Sequence, residues 1–152
     1  MTSIDFYFNA EDRLLVACRL AGKALSRKKR MLVYAPDSEL ASRIDRMLWT
    51  WPAIGFVPHC PLHDALAPDT PVLIGGEEVW EALPPGCDVI LNLSGDCPPR
   101  FERFERLLEV VGPGDEEREA GRSRYRFYVD RGYKIANHDL AKSAERSGAQ
   151  HE

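Results

Sequence analysis

Residues 31–35 read Met-Leu-Val-Tyr-Ala, an unbroken apolar run closed on one side by Arg27-Lys28-Lys29-Arg30 and on the other by Pro36. A run this short and this continuous is the mark of a strand with both faces covered, because a half-exposed strand alternates apolar with polar residues. Pro36 stops it, since proline lacks the N–H that would continue the ladder. Asp37 or Ser38 then caps a helix that carries Leu40, Ile44, Met47 and Leu48 on one side. Two further apolar triplets, Val72-Leu73-Ile74 and Val89-Ile90-Leu91, read as strands of the same kind.

The segment before this core strand repeats the pattern. Residues 4–8 (IDFYF) form a first strand, and Asn9 is placed to cap the helix that follows. Leu14, Cys18, Ala21 and Leu25 recur at helical spacing in that helix. Strand–helix–strand–helix order predicts an α/β layered fold, with a mostly parallel central sheet flanked by helices. Further along, residues 56–58 are a short extended piece, 59–70 a loop and 93–99 a turn. Phe101, Phe104, Leu107 and Leu108 have the spacing of another amphipathic helix, and Val110-Val111 that of a final short strand. A last helix is expected over 115–130, ended by a left-handed Gly132. One domain over 1–141 and a polar, mobile tail over 142–152 complete the expected layout.

Composition narrows the class. With 44% hydrophobic and 29% charged residues in 152, the chain has the make-up of a soluble globular domain. It shows no basic n-region with an apolar run, and no apolar stretch long enough to span a bilayer, so a cytoplasmic protein with no membrane contact is expected. Cys18, Cys60, Cys87 and Cys97 lack a paired or metal-finger spacing and read as free thiols. A net charge of −4 argues against a general duplex-DNA binder.

Catalytic signatures are sparse. The first strand exits into FNAEDR, without the glycines that let backbone approach phosphate. No GxxxxGK[ST] loop or GxSxG elbow occurs, and Gly75-Gly76 is followed by two glutamates that would repel phosphate. His59-Cys60-Pro61-Leu62-His63 offers borderline ligands, but without a closing pair it reads mainly as loop composition.

Two segments are candidates for binding. Residues 118–134 hold six cations (Arg118, Arg122, Arg124, Arg126, Arg131 and Lys134) against Glu119 and Asp130, a net charge of +6 − 2 = +4 in an acidic chain. On a helix, Arg118, Arg122, Tyr125, Arg126 and Val129 fall on one stripe. Arginines with a tyrosine among them can hold a carboxylate by paired N–H bonds beside an apolar wall, as an acidic peptide or a peptide C-terminus requires. The same stripe is compatible with a solvated helix whose tyrosines pack inward. Other uses are a clamp for a nucleotide or small anion in an α/β enzyme, or base stacking on single-stranded nucleic acid. The second segment holds Trp49, Trp51, Pro52 and Phe56, either as core filling beside the sheet or as a partner surface.

In order and spacing, the DFYF strand, KRMLVYAPDSELASRIDRMLW, the WP…FVPH block, DVILNL and RSRYRFY…GYK resemble the chi subunit of bacterial DNA polymerase III holoenzyme. The resemblance covers nearly the whole chain. It implies a single α/β domain laid out like nucleotide-binding folds, without a phosphate loop, catalytic site or cofactor. It also implies two partners. One is the psi subunit, which links chi to the clamp loader. The other is the acidic C-terminal tail of single-stranded DNA-binding protein, which ends in phenylalanine. Association with DNA would then be indirect. By the resemblance, Arg122 and Tyr125 fall on the family's tail-binding arginine and tyrosine, Arg118 and Arg126 on basic positions around that pocket, and Val111 on its apolar wall. Trp49 and Phe56, with Pro52 between them, fall on the face similar to the psi-binding surface, which in some relatives also accepts a helicase. The loop 59–70, the segment 75–86 and Gly121 inside the binding helix depart from the better-known members. A helical glycine costs about 1 kcal/mol relative to alanine.

Overall fold

The computed structural model describes residues 1–50, 57–77 and 83–141. Seven strands form one sheet: β1 (Ser3–Phe8), β2 (Met31–Tyr34), β3 (His59–Pro61), β4 (Val72–Gly75), β5 (Val89–Asn92), β6 (Arg106–Val110) and β7 (Ile135–Asp139). Their order is β3-β4-β2-β5-β6-β1-β7, and every pairing is parallel. Parallel neighbours need crossovers. Among the described residues these include the helices α1 (Arg13–Ser26), α2 (Ser38–Thr50) and α3 (Asp115–Asp130).

The core strand behaves as its sequence demands. Met31, Val33 and Ala35 pack into a cluster with Leu14, Cys18 and Ala21 of α1 and Ile44 and Leu48 of α2. Leu32 and Tyr34 point the other way, into a cluster with Phe6, Phe101 and Tyr128 of α3. Strand side chains alternate across the sheet, so one apolar run serves both layers. All four cysteines are unbridged. Burial pushes the Cys18 thiol up to about 11 and the Cys87 thiol up to about 12, which leaves both poorly nucleophilic.

Four expectations are corrected. Asn9 does not cap α1: it sits in left-handed backbone, φ 61°, and its side-chain N–H donates to Asp139 at 2.9 Å. Asp12 is the cap, its carboxylate accepting from the Leu15 amide at 3.1 Å. Asp37 caps α2, accepting from the Glu39 amide at 2.9 Å. Residues 101–108 do not form a helix. Phe101–Arg103 is a single 3-10 turn, after which β6 runs through Leu107, Leu108 and Val110. The phenylalanines pack by tertiary contact, and Leu107 and Leu108 face opposite sides of the sheet. The 59–70 loop contains β3, held to β4, and a short 3-10 turn at Ala67–Asp69. Finally, β6 is not the last strand, because β7 follows α3 and pairs with β1. Phe56 and the tail 142–152 lie outside the described residues, whereas Val57 is buried.

The end of α3 does follow expectation. Gly132 is left-handed at φ 85°; its amide donates to the Val129 carbonyl at 2.9 Å, and Tyr133 donates to the Tyr128 carbonyl at 3.1 Å. This double closure satisfies carbonyls the helix leaves open, and Phe101 staples it by touching both Tyr128 and Tyr133. Gly132→Ala is expected to cost about 1–2 kcal/mol, the penalty of a Cβ in left-handed backbone, read as a lower urea midpoint at unchanged slope.

Candidate functional site

A groove of about 410 Å³ opens at the carboxyl ends of β1 and β6, beside the first half of α3. Parallel sheets commonly place ligands there, where loops and helix starts converge. Its apolar surface comes from Phe6 and Phe8 of β1 and from Val111 just past β6. Tyr125 closes one side, its ring edge-on to Phe6 at 5.0 Å, and its hydroxyl accepts from the Asn137 side chain at 3.1 Å. Arg118 and Arg122, one turn apart on α3, supply the charge. Both are exposed, and neither is in an ion pair among the described residues. Asn9 adds an amide at the rim. Low-dielectric walls beside unpaired guanidiniums favour an anion attached to an apolar group.

Gly121 explains how the groove forms. It is buried against the sheet, and a Cβ there would lie 3.0 Å from both methyls of Val111. The missing side chain lets α3 approach Val111 closely, so the residue that costs helix propensity is the one that seats the helix.

The structure gathers Val111, Arg118, Arg122 and Tyr125 around one cavity. Arg126 is exposed one turn further on, outside its lining, and Val129 is half exposed. Phe6, Phe8 and Asn137 were not singled out from the sequence. The period-two spacing of Phe6 and Phe8 in β1 signals a shared face, whereas Asn137 lies on the strand that the pattern did not reveal.

Arg124 has a different place from its neighbours. It is 5% exposed, and its Nε donates to Glu109 at 3.0 Å while Nη1 donates to the Gly95 carbonyl at 3.1 Å. Glu109 is fully buried and also accepts from Tyr128 at 2.6 Å and from Asn92 at 3.0 Å. Burial pushes the Glu109 carboxyl up, and Arg124, Tyr128 and Asn92 pull it back. One cation of the basic island therefore belongs to the core, and no charge count could tell it from Arg122. Arg131 also has an aromatic partner, lying 4.0 Å from the centroid of Phe127.

On the other edge of the sheet, Trp49 at the end of α2 is 59% exposed, its ring edge-on to His59 at 4.9 Å. It does not fill the core. Pro52 and Phe56 lie outside the described residues. The His59 ring nitrogens sit 2.6 Å from the Val57 carbonyl and 3.2 Å from that of Asp45. Among the described residues, no group of three His, Cys, Asp or Glu side chains is placed to hold a metal.

Comparison with known proteins places this architecture. The C-terminal domain of Dbp5 from S. cerevisiae, solved bound to Gle1 and IP6, superposes with a TM-score of 0.61 at 10% identity, covering 91% of this chain and 90% of that one. That likeness concerns the fold alone. DNA polymerase III subunit chi of Pseudomonas aeruginosa is 32% identical over 148 residues, 93% of this chain and 99% of that protein. The Escherichia coli K12 subunit is 25% identical over 79% of this chain and 80% of its own length, and the Haemophilus influenzae subunit 25% over 90% and 96%. The family model described as DNA polymerase III chi subunit, HolC, matches residues 1–136. The chain belongs to the DNA polymerase III chi subunit family.

Proposed function

We propose that this chi-family chain is a non-catalytic, cytoplasmic accessory subunit of the replicative polymerase. It captures the acidic C-terminal tail of single-stranded DNA-binding protein in the α3 groove and docks the psi subunit on the face around Trp49, Pro52 and Phe56. A helicase is a further candidate for that second face, and association with DNA is indirect. The observation that carries the reading is the pairing of Arg118 and Arg122 with an apolar cavity lined by Phe6, Phe8 and Val111. A tail of aspartates ending in phenylalanine asks for that combination: guanidiniums for carboxylates and a dry wall for the ring. No helix among the described residues is long and apolar enough to cross a membrane.

One titration tests it against the readings in which the arginines clamp a nucleotide or stack on a strand. The labelled protein is mixed in turn with an acidic peptide ending in phenylalanine, with single-stranded DNA and with ATP. Saturable binding of the peptide alone is the expected result. Tight binding of ATP or DNA without the peptide overturns the reading.

The second face has its own test. Because Trp49 is largely exposed, Trp49→Ala should leave folding intact and remove an anchor worth about 2 kcal/mol to psi, the size of an interface hot spot. Co-purification with psi should be lost while the peptide titration is unchanged. A variant that loses both partners, or unfolds, places Trp49 in a structural role.

A further inference from the structure

The groove is open toward β7, which forms one edge of the sheet. The Ile4 amide donates to the Lys134 carbonyl, and Ile4 pairs with Ile135. Backbone groups alternate sides along a parallel ladder, so Ala136 and His138 turn toward β1. Ile135 and Asn137 turn their N–H and C=O groups outward. Among the described residues these outward groups have no backbone partner. An unpaired edge is a template for another strand, and β7 (IANHD) has no proline or lysine to block one. Asn137 joins edge to cavity: its side chain donates to Tyr125 within the groove, while its backbone faces the open edge.

We propose that the acidic C-terminal peptide binds as an eighth, parallel strand on β7. Its last residue enters the groove, and its preceding residues pair with Ile135 and Asn137. This rests on the tail-binding reading above. Parallel direction follows from the position of the cavity at the carboxyl end of the sheet, which the peptide's own carboxyl end must reach. One peptide residue would donate to the Ile135 carbonyl and accept from the Asn137 amide, and the residue two places on would donate to the Asn137 carbonyl. Lys134, exposed at the start of β7, then lies beside the upstream aspartates, and Arg118 and Arg122 beside the terminal ones. The opposing carboxylate nearest the top of the strand, Asp139, is engaged by the Asn9 amide at 2.9 Å. Main-chain pairing of this sort supplies affinity that tolerates changes in the peptide's aspartates, while the groove reads only its end.

A backbone scan tests the strand. Each peptide N–H is replaced singly by N-methyl, and affinity for the full-length protein is measured alongside hydrogen exchange of the Asn137 amide. Strand pairing predicts a period of two: methylation at two positions two residues apart weakens binding by about 3–10-fold each, the value of one hydrogen bond, while the position between them is silent. The Asn137 amide, which gains a peptide acceptor, exchanges more slowly in the complex. A peptide that shifts the Tyr125 and Arg122 side-chain resonances, yet shows no period of two and no slowed exchange, overturns strand addition and leaves the groove reading standing. A peptide that shifts neither side chain removes the groove reading and this proposal with it.

Discussion

Arg124→Ala should destabilise the fold by about 3–5 kcal/mol at neutral pH, the range for removing one partner of a buried ion pair. The reason is what remains. Glu109 is fully buried in β6, and without Arg124 its carboxylate keeps only the Tyr128 and Asn92 hydrogen bonds. The Gly95 carbonyl also loses the Arg124 guanidinium, so the turn after β5 loosens with the helix. The pH dependence has a definite sign. Burial already holds the Glu109 carboxyl above its ordinary 4.5, and removing the cation raises it further. A carboxyl whose folded value is raised binds its proton more tightly in the folded state. Stability is then fully present below the unfolded value and lost as pH rises through the folded one. The deficit of Arg124→Ala should therefore shrink as pH falls toward 4.5 and be largest at neutral pH. Urea unfolding of the two proteins at pH 7.5 and pH 5 checks it. Pairing Arg124→Met with Glu109→Gln should recover much of the loss, because no uncompensated charge is left inside. A loss that is equal at both pH values would mean that packing, and not charge, is what Arg124 supplies.

Arg122→Ala, two residues away, should do the opposite. Its side chain is exposed on α3 and in no ion pair among the described residues, and alanine is a better helix former, so folding stability should be kept. Binding of an acidic peptide ending in phenylalanine should weaken by about 1.5–3 kcal/mol, or roughly 10- to 150-fold, the worth of a charged hydrogen bond. Calorimetric titration of wild type and variant measures this directly. Raising salt should weaken the wild type more than the variant, since exposed charge pairing is screened over about 10 Å at 0.1 M ionic strength. Unchanged affinity in a folded variant would remove Arg122 from the site. Together the two substitutions separate adjacent arginines of one helix into one that holds the fold and one that faces a ligand.

Much of this was legible in the chain. The apolar runs 31–35, 72–74 and 89–91 fall on β2, β4 and β5, as short continuous apolar runs bounded by charge, proline or glycine suit strands covered on both faces. The helix over 115–130 and its glycine stop were readable from local chemistry, since a left-handed C-terminus has few alternatives. Where two periodicities coincide, the pattern failed. Phe101, Phe104, Leu107 and Leu108 have helical spacing, yet tertiary packing splits them between a turn and a strand. Strand β7, with alternating polar residues and no apolar run, carries no signal of its own; it exists because β1 offers it an open edge. Asn9 carried the chemistry of a cap, but the left-handed backbone at the end of β1 handed that task to Asp12.

The candidate site divides along the same line. Helical spacing alone set Arg118, Arg122 and Tyr125 on one stripe, because 3.6 residues per turn is a local rule. It could not say which arginines are wet. Arg124 is withdrawn into the core because Glu109, fifteen positions away, stands opposite it on β6. Nor could it say that Phe6, Phe8, Val111 and Asn137 would meet that stripe, which takes three parallel strands in a fixed register. The sequence by itself determined the layers, the basic helix and its polarity. Tertiary structure decided which charges remain available and gave them an apolar cavity, because burial and long-range pairing depend on contacts that no local window contains.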